Sequence, residues 1–210
     1  MATPTARMDR RTAVAEMKRS IILEAALRVF ERAGLEGASM RAIAQEAGYT
    51  AGAIYSHFPG KEHIYAAALS ESLDRLRTTT EDAAARADGP PARFVAAGLA
   101  FFDFYDTNPR DLDLGFYLFG RGIRPRGLSP ELNRELNTQL LAALQPLTDA
   151  AVEHGASDSQ ARVLTADAFA HACGLLLLAH TRRLELFACP ARDLLLAHLE
   201  RLIERGTRER

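Results

Sequence analysis

The sequence predicts an all-α fold. Three observations carry that reading: apolar residues recur at spacings of three and four, two-residue alternation is almost absent, and Gly or Pro punctuates the periodic runs. The first helix is expected over 14–33, with Ile22, Ala25, Ala26 and Val29 as an inward stripe, Phe30 beside it and Gly34 as its stop. Ser39 is a good N-cap for a two-turn helix that places Met40, Ile43, Ala44 and Ala47 on one face and ends at Gly48. Its capping box is incomplete, because Ala42 stands where Glu or Gln would bond back. Thr50 caps a third short helix in which Ile54 and Phe58, four apart, face inward together, and Pro59-Gly60 ends it. A long helical pattern then runs from Lys61 through Ile64, Ala68, Leu69, Leu73 and Leu76 to the break at Asp88-Gly89-Pro90-Pro91. Beyond the break, helices are expected over 92–107, 109–119, 129–154, 159–187 and 191–205.

The chain has 210 residues, of which 48% are hydrophobic and 25% charged, ordinary proportions for a folded globular protein. Two domains are expected: a three-helix N-terminal unit over 1–65 and a larger helical unit over 66–210. The net charge of -1 excludes a uniformly basic nucleic-acid coat, yet residues 1–61 hold nine Lys and Arg against six Asp and Glu. Arg7, Arg10, Arg11, Lys18 and Arg19 make the front of the chain a flexible basic arm, which serves either as a reach towards phosphates or as a solvated tail. Cys173 and Cys189 are too few for a disulfide scaffold or a zinc cluster, so neither metal nor cofactor is expected. No secretory signal is visible, and the longest apolar run, near 175–179, falls far short of the roughly 20 residues that span a bilayer. The expected location is the cytoplasm, with no membrane partner.

Two short helices joined by a tight Gly-containing turn define a helix-turn-helix, and Ala44, Gly48 and Ala53 supply the small residues where the helices cross. The second of them leaves Thr50, Ala51, Gly52, Tyr55, Ser56 and His57 outside. A helix lying in the major groove needs small or hydrogen-bonding side chains of this kind, and no Asp or Glu occurs over 47–61 to repel phosphates. Arg41, Thr50, Tyr55, His57 and Lys61 can reach phosphate oxygens and fix register, while Ala51, Gly52, Ala53 and Tyr55 can approach base edges and thymine methyls. Taken as an isolated helix pair, Tyr55 and His57 read better as ordinary amphipathic surface residues.

The run from Ile21 through Tyr65 closely resembles the TetR family of repressors. The residues that carry the likeness are Phe30 and Gly34, then Ser39-Met40-Arg41-Ala42-Ile43-Ala44, Ala47-Gly48, Gly52-Ala53-Ile54-Tyr55-Ser56-His57-Phe58 and Lys61-Glu62. The resemblance implies that 50–58 is the recognition helix, that Tyr55 and Lys61 contact phosphates, and that Lys61 begins the connecting helix. Tyr49 departs from the pattern, which commonly has a small aliphatic residue there; stacking on the first helix and touching the DNA backbone both stay open for it.

Aromatic residues crowd 93–119. Phe101, Phe102 and Phe104 cannot share one side of a helix at 100° per residue, so that helix needs neighbours around it. Phe102, Tyr105, Phe116, Tyr117 and His171 are candidates to line a pocket for a largely apolar small molecule, the place where the resembled family keeps its effector; core packing is the alternative for any one of them. Arg121, Arg124 and Arg126 lie in a Gly/Pro loop, a candidate lid or a solvated surface. Leu164, Ala168, Leu175 and Ala179, with Leu195, Leu199 and Leu202, form strips expected to pair the last two helices with a second copy in a four-helix bundle. The expected function is a homodimeric, ligand-responsive repressor on palindromic operator DNA. A transcriptional activator of the same fold and a helical protein-interaction module are the alternatives. An enzyme has no support, since neither HExxH, a Gly-rich phosphate loop nor a GxSxG elbow appears.

Overall fold

A computed structural model describes the backbone of residues 4–117 and 128–206, with side chains over 12–115 and 128–206. The described residues form α-helices and one 3-10 turn, with no strand: α1 Pro4–Gly37, α2 Met40–Ala47, α3 Ala51–Tyr55, α4 Lys61–Ala85, α5 Pro90–Thr107, α6 Pro109–Tyr117, α7 Pro130–Glu153, α8 Asp158–His180, the 3-10 turn Arg183–Phe187, and α9 Ala191–Arg205. The predicted all-α class is what folds.

Two boundaries differ from expectation. Helix α1 begins at Pro4, ten residues early, so the segment expected to be a flexible arm continues the helix; Pro suits a first helical position and nothing between it and Gly34 breaks the turn. The side chains of Arg7, Arg10 and Arg11 lie outside the described residues, as do Arg121, Arg124, Arg126 and Phe119. Helix α8 stops at His180 instead of running to 187, because Arg182 turns left-handed (φ 57°) into the 3-10 turn. Its start is fixed by a complete capping box: Ser157 accepts from the Gln160 backbone, and the Gln160 side chain accepts from the Ser157 N–H at 2.9 Å.

By contact the chain divides into two compact units, Met1–Glu71 with Asp113–Arg134, and Ser72–Leu112 with Glu135–Arg210. The first is organised by the stripe read from the sequence: Ile22, Ala25, Ala26, Val29 and Phe30 are buried with Ile43, Ala44, Ile54, Phe58, Ile64 and Tyr65. Phe30 meets Tyr65 edge-on, with ring centroids 5.7 Å apart. The Tyr65 hydroxyl donates to the Leu114 carbonyl, a buried bond that joins α4 to α6.

In the second unit α5, α8 and α9 pack on one another. Phe94, Phe101, Phe102 and Phe104 are all buried, as a helix with neighbours on several sides requires. Helices α5 and α9 approach closely at Gly98, where an added Cβ would lie 2.6 Å from a Leu199 methyl. Arg192 of α9 grips Asp103 of α5 through three N–H···O contacts of 2.8–3.1 Å.

This packing overturns the expected pairing strips. Leu164, Ala168 and Leu175 of α8 and Leu195 and Leu199 of α9 are buried inside their own unit, sealing α8 against α9. The large apolar residues left outside on these two helices are Val163, Leu177 and Leu178 of α8 and Leu194 of α9. Helix α8 also corrects the reading that no segment approaches membrane length. It is the one described helix long and apolar enough to cross a bilayer, with a mean hydropathy of 1.5, because Ala and Leu are interleaved with few charges rather than run together. A third of that stretch is buried in the unit.

Candidate nucleic-acid interface

Helices α2 and α3 make the helix-turn-helix, and each end is set by a short-range bond. Ser39 Oγ accepts from the Ala42 N–H at 3.1 Å to open α2. Gly48 closes it in the left-handed region, φ 71°, where a side chain would be strained. Thr50 Oγ1 accepts from the Ala53 N–H at 3.2 Å to open α3. A helix of five residues has no stability of its own. It is held by Ile54 and Phe58, both almost fully buried, and Arg19 of α1 lays its guanidinium 4.6 Å above the Phe58 ring centroid.

A second clasp joins α1 to α2. Glu46 accepts from Arg28 Nε at 2.7 Å and from Arg32 Nη2 at 2.6 Å, and these two bonds, Arg28 first, hold its carboxyl below the usual carboxylate range. The sequence reading missed both Arg19–Phe58 and this clasp. The signal available for the clasp was the spacing of Arg28 and Arg32, one turn apart on one face of α1.

With its apolar side anchored, α3 presents the opposite side to solvent. Thr50, Gly52, Ala53, Tyr55 and Ser56 are exposed, Tyr55 to 55%, and Arg41 is exposed on the first turn of α2. Ala51 and His57 are half-buried, as is Tyr49. Lys61 is also half-buried, and its ammonium donates to the carbonyls of Glu36 at 3.0 Å and Ala38 at 2.9 Å, a placement the sequence did not indicate.

The candidate effector residues separate into groups. Phe102 and Tyr105 are buried on α5, where the Tyr105 ring stands edge-on to Phe101 and Phe104, each 5.1 Å away. Burial raises the Tyr105 phenol above its ordinary range, so it is a neutral hydroxyl at pH 7. Burial likewise pushes the Cys173 thiol up to about 12, leaving little reactive thiolate. His171 of α8 stacks on His198 of α9 with ring centroids 3.8 Å apart, and His198 Nε2 lies 3.2 Å from Asp167 Oδ1. The side chains of Phe116 and Tyr117 lie outside the described residues. A cleft of about 630 Å³, unforeseen in the sequence, opens between α7 and α8 over the Thr148–Thr165 hydroxyl pair. Among the described residues no group of three or more His, Cys, Asp or Glu is placed to hold a metal ion.

The stacked imidazoles give one expected pH effect. Desolvation, then the neighbouring His198, lower the His171 pKa; Asp167 opposes them and Arg201 adds to them. The folded chain therefore disfavours the proton that the unfolded chain accepts near 6.5. The contribution of His171 to stability is intact above that range and falls as pH drops through it. Urea midpoints at pH 7.5 and pH 5 should differ by less in His171→Phe than in the unaltered chain; equal differences would remove His171 as the cause.

Anchored helix, tight turn and exposed acid-free face together define a helix-turn-helix of the kind that can lie in a major groove. Residues 22–68 match the tetR family of bacterial regulatory proteins. The match covers 47 of the 210 residues, the helix-turn-helix and its flanks, and it is this segment that is similar to the family. It is 38% identical over 74 residues to the HTH-type transcriptional repressor KstR of Mycolicibacterium smegmatis, covering 35% of this chain and 36% of that one. It is 34% identical over 89 residues to the HTH-type transcriptional regulator BetI of Burkholderia mallei, covering 42% and 46%. The matched segment thus spans between a third and a half of the length of these relatives. Both of these relatives are regulators of transcription. The fold as a whole is similar to that of the transcriptional regulator FadR from Bacillus subtilis in complex with stearoyl-CoA, with a TM-score of 0.68, 17% identity and coverage of 89% of this chain and 98% of that one. It is similar also to a TetR/AcrR-family transcriptional regulator from Thermobifida fusca, with a TM-score of 0.63, 23% identity and coverage of 91% and 98%.

Proposed function

We propose that this chain is a homodimeric repressor that leaves a palindromic operator when a largely apolar small molecule binds it. In this reading residues 1–65 bind DNA, and residues 66–210 bind the effector and pair the subunits. The observation that carries it is the exposed face of α3, free of carboxylates and backed by buried Ile54 and Phe58. Thr50, Tyr55, His57 and Arg41 fix register on phosphates, while Ala51, Gly52, Ala53 and Tyr55 meet base edges. Two such helices reach successive major grooves only when carried by a dimer, about 34–36 Å apart. The pairing surface is the outer side of α8 and α9, where Val163, Leu177, Leu178 and Leu194 are exposed beside Ala166, Ala170 and Gly174. Access to operators places the protein in the cytoplasm.

The effector site is assigned to the aromatic walls of α5, including Phe102 and Tyr105, with Phe116, Tyr117 and His171 as further candidates. Stearoyl-CoA bound to the Bacillus subtilis FadR makes a long-chain acyl-CoA the first probe. The release follows only as far as that probe binds the released conformation more tightly than the DNA-bound one.

Selection from a random duplex library, followed by a gel shift of the enriched sequence, tests this reading. Two inverted half-sites should emerge, and affinity should fall steeply with salt, by roughly 0.9 in the logarithmic slope for each phosphate neutralised. Saturating acyl-CoA should release the duplex. Enrichment of nothing refutes the DNA-binding reading, and operator affinity unaltered by the probe removes long-chain acyl-CoA as the effector.

A further inference from the structure

We propose that Asp167, His171 and His198 form a cluster at the centre of the surface on which a second copy of this chain packs, and that the cluster makes pairing depend on pH. The inference rests on the pairing surface proposed above and gives it a regulator. On α8, Asp167, Ala170, His171, Gly174 and Leu178 share one face by their spacings of three and four, and on α9 Leu194, His198 and Arg201 do the same. All are exposed except the two imidazoles, which are half-buried. Exposed Val163 lies about two turns before His171 and exposed Leu178 about two turns after it, so the cluster sits midway along the apolar strip. The His171 and His198 rings stack with centroids 3.8 Å apart and planes 12° from parallel, and His198 Nε2 is 3.2 Å from Asp167 Oδ1.

One proton suits this arrangement: His198 donates to Asp167, and a neutral His171 stacks on it. A second proton sets two cations face to face, with Arg201 as a further positive charge and Asp167 as the one carboxylate acting on His171. Glu200, two residues beyond His198, lies on the other side of α9. Helix α5, packed on both helices, supplies no counter-charge. At the level of His198, marked by Gly98 against Leu199, it carries only apolar residues over 94–102. Desolvation and His198 already disfavour the His171 proton in the single chain, and covering by a second copy acts in the same direction. The free subunit therefore takes the second proton more readily than the pair. Pairing is intact above the ordinary imidazole value of 6.5 and weakens as pH falls below it.

Sedimentation equilibrium of the full-length protein at pH 7.5 and pH 5.5, with circular dichroism establishing that the chain is folded at both, tests the proposal. The dimer dissociation constant should rise on the order of tenfold or more on acidification. His171→Phe keeps a ring for the stack but takes no proton, and it should pair alike at both pH values. His198→Phe leaves a single imidazole beside Asp167 and should flatten the dependence as well, which covers the case of a misfolded His171→Phe. A dimer indifferent to pH, or the same rise in both variants, overturns the switch and leaves the dimer reading standing. A chain that is monomeric at pH 7.5 overturns the two together.

Discussion

Gly52→Glu is expected to abolish duplex binding while leaving the fold intact. Gly52 lies in α3 with its position open to solvent, and a Cβ added there meets no atom within 4 Å. Any L-residue therefore fits, and removing Gly from a helix interior gains about 0.5–1 kcal/mol relative to Ala by reducing the entropy lost on folding. The same space is where a base edge must approach in the proposed complex. A carboxylate there adds bulk to the closest contact and a negative charge beside the phosphates, so affinity should fall by about a hundredfold or more at moderate salt. Gel shift and thermal melting together check it: melting as in the unaltered protein, with no retarded band. Gly52→Ala serves as control, melting slightly higher and binding measurably. Full affinity in Gly52→Glu would mean that α3 is not the reading helix.

Ile54→Ala should do the reverse, lowering stability first and binding as a consequence. Ile54 is wholly buried and is the only fully buried residue of the five in α3. Truncating it leaves a cavity under a helix that is too short to stand alone, at a cost of about 2–5 kcal/mol by analogy with other buried Ile-to-Ala changes. Urea denaturation should report that loss as a lower midpoint with the slope retained. A loss below about 0.5 kcal/mol would show that Phe58 and the cap at Thr50 hold α3 without Ile54.

The contrast between these two residues also marks what could be read in advance. Ile54 and Gly52 are two apart in sequence, and helical periodicity alone assigned one to the interior and the other to the open face. The caps at Ser39 and Thr50, the stop at Gly48 and the crowding around Phe101, Phe102 and Phe104 were legible for the same reason: each is a local rule connecting a side chain to its own backbone or to neighbours one turn away. Gly34, read as the end of α1, is instead a positive-φ break (φ 67°) within a helix that runs to Gly37. Helix ends were less so, since the early start of α1 at Pro4 and the stop of α8 at His180 depend on weak local preferences.

What the amino-acid order determined by itself was the all-helical class, the helix-turn-helix and the residues of its outer face. Only the tertiary structure decided which partner each side chain takes. It turned the Leu164–Ala168–Leu175 strip inward against α9, stacked His171 on His198 from a distant helix, and gave the Lys61 ammonium to the carbonyls of Glu36 and Ala38. Periodicity states that a residue is buried or exposed, because that follows from its own polarity and the pitch of the helix. It does not state against what. A helix such as α8, with small and apolar residues around most of its circumference, offers nearly equal burial on several sides. The choice among them is made by steric fit with chain segments dozens of residues away, such as the close approach of α5 and α9 at Gly98.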